Sequence, residues 1–125
     1  MSRPIILVVD DEPLVTQMLA MVLELSVPAD VVTTNSSLRA REILLERPVA
    51  LLLTDHLMPD LNGINLIRSL RERGSTVPAI LLTGYCDEPE LVANTQALNP
   101  FEVIVKPWDN EFLVQRIKAW MNLGA

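Results

Sequence analysis

Two hydrophobic rhythms take turns along this chain. Short, mostly aliphatic runs fall at about 4–9, in the ADVVTT stretch, and at 49–54, about 77–82 and 101–105, and each reads as a strand. Between them the apolar positions recur at helical spacing. Asp11 and Pro13 suit a first helix start, and Leu14, Met18, Met21, Val22 and Leu25 follow as its apolar positions. Ser36 or Ser37 can cap a second helix that runs to Glu46. Ile64, Ile67 and Leu70 mark a third, stopped at Gly74. A weak fourth is expected around 88–98, where Asn94, Thr95 and Gln96 leave few apolar anchors. Asp109 can cap a fifth, with Leu113, Ile117, Trp120 and Met121 on one stripe. Five strands alternating with five helices predict an α/β domain with a parallel sheet. The run at 49–54 is apolar almost throughout, as a central strand covered on both faces should be.

The residues that end these runs carry the chemistry. IILVV leads into Asp10 and Asp11, VALLLT into Asp55, AILL into Thr83, and FEVIV into Lys106-Pro107. In a parallel sheet the carboxyl ends of the strands converge on one edge, where open α/β folds bind ligands. Two like charges ~4 Å apart repel by about 4 kcal/mol at an effective dielectric of 20, so three clustered carboxylates require a cation. Oxygen ligands without His or Cys select Mg2+ or a similar hard ion. A carboxylate is also a competent nucleophile toward phosphorus, and phosphoryl transfer needs mainly positioning and charge neutralisation. Lys106 adds a positive charge, Thr83 a hydroxyl donor, and Gly84 a backbone N–H unobstructed by a side chain.

Taken together, VVDDEP at 8–13, DHLMP at 55–59 with Gly63, LLTGY at 81–85 and VKPW at 105–108 resemble the receiver domain of bacterial two-component response regulators, over the whole chain. The resemblance implies a flavodoxin-like (CheY-like) doubly wound sheet of order 2-1-3-4-5 with five helices. It implies Asp55 as phosphoacceptor, supplied by a sensor histidine kinase or phosphotransfer protein. Mg2+ would be held by Asp11, Asp55 and the main-chain carbonyl of Leu57, with Asp10 acting through water. Thr83 and Lys106 would sense the phosphate, and Lys106-Pro107 would be cis. The switched surface would comprise the fourth helix, fifth strand and fifth helix, a face through which a homodimer could also form, and the output would pass to an effector domain or downstream protein.

One position departs from the family pattern. Three residues before the lysine the family usually carries Tyr or Phe, and here Val103 stands there, with Phe101 two residues earlier. The alternative it raises is a phosphorylation-independent binding module of the same fold. An aspartate-nucleophile phosphatase would want its two carboxylates two residues apart, whereas Asp10 and Asp11 are adjacent. A nucleotide-cradling loop would want Gly, Ser or Thr there.

Composition narrows the remainder. The 125 residues are read as one domain, 1–125, standing alone or beginning a longer protein. A formal charge of −6 argues against direct nucleic-acid binding, which requires a basic footprint. The longest apolar run, Met18–Leu23, is six residues, far short of the ~20 a membrane helix needs, and the residues before the first strand are not expected to form a signal peptide. With a single Cys86, a small loop residue, the chain is expected to be cytoplasmic. Among the other polar and aromatic residues, His56 is expected to be exposed, Trp120 to pack in the core, Trp108 to lie partly exposed, and Tyr85 to stand at the site mouth.

Overall fold

Period-two alternation along five short strands generates the architecture. A computed structural model describes residues 3–84 and 97–122. Its strands are β1 (Ile5–Val9), β2 (Asp30–Thr34), β3 (Val49–Asp55), β4 (Ala79–Thr83) and β5 (Phe101–Val105), all parallel and ordered β2-β1-β3-β4-β5. Leu7, Val9, Leu52 and Leu81 point to one side of the sheet, and Ile6, Val8, Leu51, Leu53, Ile80 and Leu82 to the other. Each buried Leu, Ile or Val contributes about 1.5–3 kcal/mol. β3 is buried from Leu51 to Asp55, so the central position expected of it is met.

Four helices cover the sheet among the described residues: α1 (Pro13–Ser26), α2 (Ser37–Glu46), α3 (Gly63–Glu72) and α4 (Asn110–Trp120), the last being the fifth helix expected from the sequence. The expected fourth helix lies almost wholly outside the described residues. α2 and α3 close one face through Ala40, Ile43, Ile64, Leu66, Ile67 and Leu70. α1 and α4 close the other through Leu19, Leu23, Leu113 and Ile117, with Trp120 and Met121 packed against them. Ser36 accepts a hydrogen bond from Arg39 N–H at 3.2 Å, and Asp109 accepts one from Glu111 N–H at 2.8 Å, so both expected caps form. Gly74 adopts φ 85° just past α3, a left-handed conformation that favours glycine.

α1 corrects the sequence reading. The side chains it buries are Thr16, Leu19 and Leu23, whereas Leu14, Met18, Met21 and Leu25 are exposed. At 100° per residue the two sets lie roughly 160° apart around the helix. α1 is apolar on both sides, so hydrophobic spacing alone selects a face without saying which one meets the sheet.

At the amino edge of the sheet Arg71 donates to three carbonyls: Nε to Leu98 at 2.8 Å, Nη2 to Pro100 at 2.9 Å and Nη1 to Ser75 at 3.2 Å. This guanidinium ties the end of α3 to the segment that leads into β5.

Candidate functional site

The carboxyl ends of β1, β3, β4 and β5 deliver their terminal residues to one open cleft of about 470 Å³. Asp11, Glu12, Asp55, Leu57, Thr83, Gly84 and Lys106 line it. Asp10, Asp11 and Asp55 each bring a carboxylate oxygen within 4.8 Å of the others. Lys106 Nζ donates to Asp55 Oδ1 at 2.7 Å, and Lys106 N–H donates to the Thr83 carbonyl at 2.9 Å. The residues that the sequence nominated for phosphate and metal thus meet in one place, Leu57 and Gly84 included.

Their surroundings differ. Asp10, Asp55 and Thr83 are buried, whereas Asp11, Leu57, Gly84 and Lys106 are exposed. Burial pushes the Asp10 carboxyl from 3.8 up to about 6, against the Glu12 N–H bond that favours the charged form and with help from the Asp55 charge. Such a cluster fits a divalent cation, which offsets the burial cost and the mutual repulsion of the ionised carboxylates.

Asp10 is held by a frame the sequence reading missed. Its Oδ1 accepts the Glu12 N–H at 2.9 Å, and its carbonyl accepts Asn35 Nδ2 at 2.9 Å. Asn35 also donates to Thr16 Oγ1 at 3.1 Å, and the Thr16 hydroxyl donates to the Pro13 carbonyl at 2.9 Å. The signal available was position: Asn35 directly follows β2, at the same sheet edge as the aspartates. Glu12, the N-cap of α1 and a lining residue, was missed as well. It takes the place expected for Asp11, and its side chain makes no capping bond.

His56 corrects a second expectation: it is buried, at 2 % exposure. The loop after β3 folds back over it, with Gly63 N–H donating to the His56 carbonyl at 2.8 Å. A Cβ on Gly63 would collide with the Asp55 carbonyl and the Leu81 side chain, so only glycine permits this close approach. Lys106-Pro107 is cis, as the resemblance implied. Val103 is half-buried opposite Leu81, and Phe101 is buried opposite Ala79, farther from Thr83 along the strand. Trp108 is half-buried, and its Nε1 donates to Asn110 Oδ1 at 3.1 Å. Tyr85 and Cys86 lie outside the described residues.

Residues 6–118 match the response regulator receiver domain family. The chain is similar to the hydrogenase transcriptional regulatory protein HoxA of Cupriavidus necator, 32% identical over 113 residues, which cover 90% of this chain and 23% of that protein. It is 35% identical over 120 residues to the transcriptional regulatory protein CpxR homolog of Haemophilus influenzae, covering 96% of this chain and 51% of that protein. It thus spans about a quarter of the first relative and about half of the second. A sensor protein structure from Polaromonas sp. JS666 superposes with a TM-score of 0.85 at 30% identity, covering 98% of this chain and 99% of that one. Among the described residues no helix is long and apolar enough to cross a membrane.

Proposed function

The chain belongs to the response regulator receiver domain family, and on that premise we propose that it is a phosphoacceptor switch with Asp55 as the acceptor. The observation that carries this reading is the Lys106–Asp55 ion pair beside two further aspartates. The donor is a phosphohistidine of a sensor histidine kinase or phosphotransfer protein. An Asp55 carboxylate oxygen attacks phosphorus, the P–N bond breaks, and the imidazole nitrogen keeps the electron pair. Lys106 already engages Oδ1, so attack is assigned to Oδ2.

When bound, Mg2+ neutralises charge on the phosphoryl oxygens and on the carboxylates around them. Asp11, Asp55 and the Leu57 carbonyl would hold it, with Asp10 beside them. Thr83 donates its hydroxyl and Gly84 its N–H to the new phosphoryl group, while Lys106 moves from the carboxylate onto a phosphoryl oxygen. The surface that responds comprises β5 and α4, where Val105 and Phe112 are exposed, together with the segment between β4 and β5. A switch of this kind requires a bias of only a few kcal/mol. The domain acts in the cytoplasm on an effector domain or downstream protein, and its only chemistry is its own phosphorylation and dephosphorylation.

The test is incubation with acetyl phosphate and Mg2+, read by intact mass. One added phosphoryl group is expected, absent after chelation and absent in Asp55→Asn. Labelling that survives Asp55→Asn, or a wild-type chain that is never labelled, overturns the proposal and favours a binding module that has kept the fold without the chemistry.

A further inference from the structure

The outward face of α1 carries an apolar stripe with the wrong orientation for the core and the right spacing for another helix. Leu14, Met18, Met21 and Leu25 are 79%, 41%, 62% and 84% exposed. Their steps of four, three and four residues keep to the 3.5-residue period of a coiled-coil seam. They fall within about 60° of one another around the helix, roughly opposite Leu19 and Leu23. Monomeric surfaces scatter single apolar side chains, and a contiguous stripe marks a contact.

The geometry points to a second copy of this chain as the occupant, paired α1 to α1 in antiparallel orientation about a two-fold axis. The stripe is self-complementary in that direction, because Met18 meets Met21 and Leu14 meets Leu25. Charge selects the same direction. Glu24 is the one charge within α1, and antiparallel pairing sets it beside Gln17 of the other copy. The exposed acids Asp11 and Glu12 stand at the amino end of the helix. At its carboxyl end Arg3 donates to the Val27 carbonyl at 3.5 Å while lying 3.9 Å from Asp30, and Lys118 lines a groove with Ser26. Antiparallel pairing brings these cations toward the acids at both ends, whereas parallel pairing stacks acid on acid. A seam this short belongs among the small interfaces, so pairing follows concentration. It requires no phosphoryl group, and it uses the opposite side of α1 from the sheet, with Met18 bordering the groove lined by Lys106, Pro107 and Trp108.

The experiment is light scattering of the eluting chain over about 10 µM to 1 mM, the range in which small interfaces associate. The expected mass rises toward twice the 13.9 kDa of one chain. Met21→Glu, at an exposed position that leaves far-UV circular dichroism unchanged, returns it to the single-chain value. In a Cys86→Ser background, Leu14→Cys mixed with Leu25→Cys is expected to form the mixed disulfide in preference to either homodimer. A single-chain mass throughout, a dimer untouched by Met21→Glu, or Leu14→Cys cross-linking best to itself each overturns the proposal.

Discussion

Asp10→Asn isolates the cost of burying a carboxylate among other carboxylates where no cation is supplied. The substitution keeps the shape of the side chain and an oxygen to accept the Glu12 N–H, and removes only the ionisation. The folded chain binds the Asp10 proton more tightly than the unfolded chain, at about 6 against 3.8. The stabilisation this gives is complete below the lower value and is lost as pH rises through the higher one. At about 1.4 kcal/mol per unit, ionising Asp10 in the folded chain costs at most about 3 kcal/mol. For a domain of this size that corresponds to about 10 °C in Tm. The assay is urea unfolding in chelator from about pH 4 to about pH 8, followed by tryptophan fluorescence. The variant and the wild type should coincide at the acid end, separate through the window, and differ by up to about 3 kcal/mol at neutral pH, with the variant the more stable. Adding Mg2+ should raise the wild type most, since it retains the full set of charged ligands. Parallel curves for the two proteins across that window would refute the account of a strained acidic cluster.

Gly63→Ala should destabilise the fold by about 3 kcal/mol or more, because the new methyl group meets backbone at the Asp55 carbonyl, which cannot rotate away; chemical denaturation measures it. Leu23→Ala and Leu25→Ala separate the two faces of α1. The first should cost about 2–5 kcal/mol and the second less than about 0.5 kcal/mol, and equal losses would contradict the observed orientation of the helix.

Strand placement was legible because the sheet is covered on both sides, so its strands appear as unbroken aliphatic runs whose last residues mark the functional edge. The same runs carried Asp10, Asp55, Thr83 and Lys106 to their places, since register in a parallel sheet leaves little freedom at the strand ends. α1 was misread because its outward stripe is as apolar as its inward one, and Thr16, which the core takes in, looks polar in isolation. His56 was misread because burial there comes from a close approach eight residues long, closed by Gly63, which no local pattern signals. Asn35 escaped notice for a related reason: its value lies in reaching Asp10, twenty-five residues earlier, and a lone Asn after a strand reads as an ordinary turn former.

The Arg71 guanidinium has a mechanical consequence for the far edge of the molecule. By gripping Leu98, Pro100 and Ser75 it makes the root of the last strand a fulcrum, fixed to α3 and remote from the acidic cleft. Displacement of Lys106 therefore cannot be absorbed by sliding β5 lengthwise. It must emerge as bending near the tip, where the strand hands over to the final helix.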